Sequence, residues 1–508
     1  MRDGFSERLP PDLIFGKDSS LRDTVVALAK GISALPRLSS DAPVPHLLLY
    51  GGGVRDILLG ERLRDADIQV YGVPPDRLEA LLHHLFPGVV ERAGKEYEIL
   101  KVSMPRRGSR RVHDVIDISI PRAKTGGVSR FEEGDPCLFP LQATRYRDFT
   151  INSMSLDPVL GIVYDPYEGQ KDLHARRLRL VDEQTFWLRG VHVLRGCQFV
   201  SRFGLTIEEN TRRVMSDMSA DQVVDRIPAN AVREEIRKLL LVGRKPSAGL
   251  IWLHRFGLLE RYFPTMIAKQ SRADFSEWLT RFDRCVRTGR TCRMYPDHIL
   301  IAQLALLFAP LCRIKREEDR IDAIQKSLSS ICFSGFQHAS VAEIVTLMLH
   351  DLTPNNDQVN RRLGRALPHR GVRHPRGSEI TTASAEAILA NRISSTIFTP
   401  KPAMALALAS YWSRPFSEML HLCDQAKQSS EDEPTSRGHH ILSADEVDTV
   451  LGQDATLERR TEAMAELSAR RYELVTRARA RDYLKKVVSQ GMNVREKVPS
   501  SDEIAEAF

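Results

Sequence analysis

The seven cysteines of this 508-residue chain (Cys137, Cys197, Cys285, Cys292, Cys312, Cys332 and Cys423) include no C-x-x-C pair, so neither a disulfide framework nor a zinc site is indicated. An apolar leader is also missing, because the opening residues MRDGFSERLPPDLIFG mix acids, bases and prolines. The longest apolar stretch, Ile299 to Cys312, is interrupted by Gln303 and falls short of a membrane span. No internal repeat of fixed period is present. Strong charge of one sign is absent too: 73 Lys+Arg against 66 Asp+Glu leaves +7, which suits a polyanionic partner without demanding one. With 42% hydrophobic and 27% charged residues the chain has the make-up of a soluble globular protein, long enough for roughly three or four domains. A reducing, cytoplasmic location is the expectation.

What is present begins with Tyr50 to Gly72, YGGGVRDILLGERLRDADIQVYG. The apolar run His46 to Tyr50 predicts a strand, the three glycines a tight turn into a helix, and Asp65-Ala66-Asp67 the opening of a second strand. Residues 21–34 predict a helix before this corner, and Pro74 to Leu85 another after it. Tyr97 to Met104 and Asp114 to Ile120 read as strands around a basic loop, Pro105 to Arg111. From about residue 180 strands give way to helices, which places a domain boundary there.

Alternation along a strand puts the Asp65 and Asp67 carboxylates on one face, a pair suited to Mg²⁺. Asp117, in the apolar run VIDISIPR, is the candidate third ligand, since an unpaired charge there costs several kcal/mol. Three such carboxylates make a site for two ions in phosphoryl or nucleotidyl transfer. Gly51, Gly52 and Gly53 let backbone N–H groups approach phosphates, and Arg55 stands near enough to add charge.

GGGVRDILLG followed by RDADIQVYG resembles the head-domain signature of the class II tRNA nucleotidyltransferases, the CCA-adding enzymes, and of the bacterial poly(A) polymerases that share their fold. ATRYRDFTINSMSLD (Ala143 to Asp157) is similar to a second family motif, and GIVYDPYEGQKDL to a third. The likeness covers residues 46–265. It implies an α+β fold: a polymerase-β-like nucleotidyltransferase head with a mixed sheet, then an all-α neck, body and tail. The expected division is an N-terminal helical extension (1–45), head (46–180), nucleotide- and RNA-binding neck (181–265), body (266–424), linker (425–440) and helical tail (441–508).

Carried over by residue, the resemblance implies Asp65, Asp67 and Asp117 as catalytic metal ligands for two Mg²⁺. Gly51, Gly52, Arg55 and Asp56 fall in its phosphate turn, and Arg147, Asp148 and Asn152 in the motif used around ribose and triphosphate. It also implies ATP as nucleotide, with CTP as a further candidate, and an RNA 3′ end, that of tRNA, as acceptor.

The chain departs from its relatives where the family reads the incoming base. Leu188, Arg189 and His192 stand in place of Glu, Asp and Arg, while Arg195 and Phe199 remain. Asp accepts from an exocyclic amine whereas Arg only donates, and one imidazole is a poor substitute for a planar fork. Three readings follow: CCA or partial CCA addition, poly(A)-like or altered-base tailing, and an RNA-binding paralogue without turnover. Transfer to a small molecule or protein is a further class, disfavoured by the long basic helical half. There, Arg361, Arg362, Arg365, Arg370, Arg373 and the Arg/Lys-rich segment Thr456 to Val488 are candidate phosphate contacts. His298 and the pair His350-Asp351 are weak echoes of the phosphohydrolase domain that relatives often carry, making the body a candidate degenerate domain of that type.

Overall fold

The computed structural model describes residues 5–16, 19–61, 63, 65–93, 99–105, 113–122, 134–263, 272–313, 316–348, 393 and 399–431. Most of the basic loop after Pro105, the arginines from Arg361 to Arg373, His350-Asp351 and the expected tail lie outside the described residues. The chain divides into two compact units: Met1–Gly196 with Leu205–Ile227, and Cys197–Gly204 with Pro228–Phe508.

The first unit is built on an eight-stranded mixed sheet. Its strands are β1 (Phe5–Arg8), β2 (His46–Tyr50), β3 (Ala66–Tyr71), β4 (Val90–Ala93), β5 (Ile99–Pro105), β6 (His113–Ser119), β7 (Ser155–Asp157) and β8 (Ile162–Tyr164), in the spatial order β1-β8-β7-β2-β3-β6-β5-β4. Only β3 and β6 run parallel; the remaining pairs are antiparallel. Apolar residues of the central strands (Leu49, Ile68, Val70, Ile116, Ile118) are buried, as strands lying between packed layers require. The N-terminal extension holds the expected helix at Ser20–Ser33, and it also contributes β1, which pairs with β8 at one edge. FSER gave no sign of this, because its strand character comes from the partner it meets rather than from its own pattern.

The segment DPYEGQKDL packs through two aspartates. Asp165 accepts the Gly169 and Gln170 N–H groups at 2.7 and 2.9 Å and so starts the helix Gly169–His174. Asp172, fully buried, accepts from Thr150 Oγ1 at 2.7 Å, Arg177 Nε at 2.6 Å and Arg179 Nε at 2.8 Å. Gly169 is needed for close approach, since a Cβ there would lie 2.2 Å from the Thr150 carbonyl oxygen. The expected all-helical neck contains a two-residue strand, Thr206–Ile207, that pairs in parallel with Arg177–Leu178 at the end of the expected head.

The second unit, where described, is helical. Its helix Pro296–Phe308 is buried on every side from Ile299 to Phe308 and packs against Arg272–Thr291, Gly335–Leu347 and Lys401–Trp412. This accounts for the apolar run noted above: it is a core helix of 13 residues. Gln303, the residue that interrupts the run, donates through Nε2 to the Phe282 carbonyl at 3.0 Å. No helix among the described residues is long and apolar enough to cross a membrane. The start of the expected linker, Gln425 to Glu431, continues the helix Phe416–Glu431.

Candidate active site

β2 ends at Tyr50, and Gly51 turns the chain into the helix Gly52–Leu58 with φ +72° and ψ −134°, a conformation that only glycine adopts without strain. β3 then leaves with Asp65 just ahead of it and Asp67 as its second residue. In the parallel ladder Asp67 pairs with Asp117 of β6, and in the next, antiparallel ladder Asp117 pairs with Lys101 of β5. Directly paired residues project to one face, so Asp67, Asp117 and Lys101 form a charged row across three strands.

Asp65 and Asp67 are exposed and Asp117 half-buried. Although Asp67 opens to solvent, the protein mass around it pushes its carboxyl above the usual carboxylate value; Asp117 and Asp65 add to the rise and Arg147 opposes it. Asp117 Oδ1 is shielded from solvent and makes no hydrogen bond, with Lys101 Nζ at 3.5 Å as its cationic neighbour. Among the described residues no group of three His, Cys, Asp or Glu side chains is gathered tightly enough to cage an ion by itself. Mg²⁺ commonly takes one or two carboxylates and completes its shell with substrate phosphates and water. The uncommitted Asp117 oxygen beside a second carboxylate is the donor set such an ion needs.

Arg147 lies with its guanidinium 4.0 Å from the centre of the Tyr50 ring and Nη2 3.4 Å from Gln69 Oε1. Its charge is felt at Asp67, so it borders the carboxylate row. Its neighbour in sequence is turned elsewhere. Asp148 is buried, accepts the Phe149 N–H at 2.7 Å and Asn152 Nδ2 at 3.0 Å, and has Arg195 Nε 3.0 Å from Oδ2. Burial opposes its charge, yet Arg195, His192, Asn152 and the Phe149 amide together hold its carboxyl below the usual value. Asn152 Oδ1 in turn accepts from Arg55, whose guanidinium is buried and also grips Asp56 Oδ1, at 2.9 Å from Nε and 2.7 Å from Nη2.

Arg55, Asp56, Asn152, Asp148 and Arg195 are thus one connected polar chain. It ties the glycine-turn helix to the helix Val191–Phe203. A Cβ on Gly52 would lie 3.2 Å from Arg55 Nη2, so the guanidinium packs directly beneath the turn.

His192 is buried. Its Nδ1 lies 3.1 Å from the Phe186 carbonyl, its ring 4.9 Å from that of Phe186, and desolvation pulls its pKa down to about 4 despite Asp148. Arg189 and Leu188 are exposed on the segment before the helix. Sequence reasoning passed over Lys101, Tyr50 and Gln69. For Lys101 the available signal was a lysine alternating with apolar residues in ILKVSM. His298, half-buried and packed edge-on against Tyr295, belongs to no metal-holding group among the described residues.

A glycine turn, a carboxylate row in a mixed sheet and a buried polar chain behind them are the arrangement expected of a nucleotidyltransferase head. Residues 47–179 match the poly A polymerase head domain, and residues 204–269 the probable RNA and SrmB-binding site of polymerase A. Over these regions the chain is similar to the class II CCA-adding enzyme and poly(A) polymerase family. A multifunctional CCA protein of Xanthomonas campestris pv. campestris (strain B100) is 30% identical over 267 residues, 51% of this chain and 62% of its own length. One from Stenotrophomonas maltophilia (strain K279a) is 30% identical over 230 residues, 44% of this chain and 52% of its own. The chain therefore matches between half and two thirds of these relatives' length. The Thermotoga maritima CCA-adding enzyme complexed with tRNA shares the fold, with a TM-score of 0.53 at 16% identity over 96% of this chain and 99% of that one. So does a CCA-adding enzyme in an apo form, with a TM-score of 0.57 at 16% identity over 99% and 98%.

Proposed function

We propose that this protein is a template-independent nucleotidyltransferase that extends the 3′ end of an RNA, tRNA being the substrate its relatives point to. The observation that carries the reading is the direct pairing of Asp67 with Asp117, next to Asp65 and a glycine turn whose backbone lets phosphates approach closely. The RNA 3′-hydroxyl attacks the α-phosphate of a nucleoside triphosphate in line, and pyrophosphate leaves. Asp65, Asp67 and Asp117 are the residues that would hold Mg²⁺, two ions by the family resemblance, and the metal would supply activation of the attacking hydroxyl and charge neutralisation of the leaving group. Arg147, clamped on Tyr50 beside the row, offers its guanidinium to the triphosphate. The Arg55–Asn152–Asp148–Arg195 chain holds the turn in place within the first unit. ATP and CTP are the expected nucleotides, and a soluble cytoplasmic enzyme the expected form.

A second reading, addition of an altered base or poly(A)-like tailing, is favoured by one observation: His192 is buried against Phe186, which leaves little of its edge to meet an incoming base. Base choice then rests on exposed Arg189 and on Arg195. The test is incorporation of labelled nucleotide into tRNA with Mg²⁺, using Asp67→Asn as the control. Incorporation by the native chain that vanishes in the variant supports the reading; equal incorporation by both removes this site from it. An RNA-binding paralogue without turnover would bind tRNA and incorporate nothing.

A further inference from the structure

We propose that Lys101 is a resident counter-charge to Asp117 that weakens divalent-ion binding at this end of the carboxylate row in the nucleotide-free protein. This rests on the reading above that Asp67 and Asp117 hold the ion. Three observations carry it. Lys101 is the direct ladder partner of Asp117, so the row runs acid, acid, base across β3, β6 and β5. The ammonium stands 3.5 Å from Asp117 Oδ1, close enough for its charge to act but beyond hydrogen-bond length. That same oxygen is shielded from solvent and makes no hydrogen bond, so its lone pairs are uncommitted.

An ordinary cross-strand pair would satisfy its carboxylate. This pair neutralises half of the Asp67–Asp117 charge while leaving the oxygen's lone pairs uncommitted. A divalent ion arriving there meets a standing positive charge as well as two carboxylates. Its affinity is accordingly lower than the two acids alone would give, and the negative charge of a triphosphate restores the balance. Lys101 is a positioning residue in this sense: it sets when the ion is held and touches no reacting atom.

The experiment titrates Mn²⁺ into nucleotide-free protein by electron paramagnetic resonance, comparing the native chain with Lys101→Met, Lys101→Arg and Asp117→Asn, each checked by thermal melting. Removing a unit charge several ångströms from a bound ion is expected to tighten Mn²⁺ binding about tenfold in Lys101→Met. Lys101→Arg should bind as the native chain does, and Asp117→Asn should bind markedly more weakly. Native-like affinity in a folded Lys101→Met protein overturns the proposal while leaving the metal site standing. Unchanged binding in Asp117→Asn overturns the metal reading itself. A purely structural lysine would lower the melting temperature and leave Mn²⁺ affinity where it was, which also counts against the proposal.

Discussion

Asp67 and Asp117 are direct partners in the parallel β3–β6 ladder, two carboxylates on one face of adjacent strands. Strands in a sheet stand roughly 4.8 Å apart, so the register itself sets the two charges against each other. Burial raises the Asp67 carboxyl above its usual value first, and the facing Asp117 adds to the rise, so the like charge contributes to opposing folding. Asp67→Asn and Asp117→Asn should therefore leave the melting temperature unchanged or slightly raised while cutting nucleotide incorporation at least about a hundredfold. Single-turnover incorporation and thermal melting measure the two effects. A destabilised variant with intact incorporation would assign the pair to structure instead.

The glycine turn is testable through its backbone. With φ +72° and ψ −134°, Gly51 occupies a region closed to other residues, although no atom lies within 4 Å of where a Cβ would sit. Gly51→Ala should cost about 1–3 kcal/mol by conformational strain alone, read from denaturant unfolding. No loss would mean that the turn relaxes freely.

Asp172 is fully buried and bonded to Arg177, Arg179 and Thr150. Replacing it with Ala strands those donors, two of them on half-exposed arginines that water can partly satisfy. The expected cost is about 2 kcal/mol or more, seen as a lower denaturation midpoint at an unchanged slope. An unaltered midpoint would contradict the role given to this cluster.

His192 gives a pH signature. Its pKa is lowered from 6.5 to about 4, by burial first and by Arg195 and Arg189 after that, against the opposing pull of Asp148 and the Phe186 carbonyl. Between these values the unfolded chain binds a proton that the folded chain refuses, so stability is full above about pH 6.5 and is lost as pH falls toward 4. The contribution is about 3 kcal/mol at the lower limit. Asp148, held below the usual carboxylate value, acts only at lower pH still. His192→Gln should flatten the fall between pH 6.5 and 4 in a stability profile; an identical slope in both proteins would refute the assignment.

Much of the head was legible because its signals are local. Alternation placed Asp65 and Asp67 on one face, the glycines marked the turn, and Asp117 stood out as a charge inside an apolar run. The register that brings Asp67 opposite Asp117 was not legible, since helix Pro75–Leu85 and two strands lie between them in the chain. The same limit hid Lys101, whose meaning depends on which residue it faces across the ladder. Arg55 and His192 read as ligand contacts from their motifs, yet both are buried. Arg55 is turned onto Asp56 and Asn152, and His192 sits against Phe186. A motif names a residue's neighbours in sequence, while burial is decided by the helix that covers it. β1 was hidden for the same reason, as an edge strand of four residues defined by its partner.

The most direct test of the account supplies the protein with Mg²⁺ and tRNA ending before the first C of CCA, at C, at CC and at CCA, each with one labelled nucleoside triphosphate at a time. The account predicts incorporation at one or more of these ends, abolished by Asp67→Asn, with the accepted nucleotides reporting what Arg189 and buried His192 have done to base choice. Folded protein that binds these tRNAs and incorporates none of the four nucleotides at any end would contradict it.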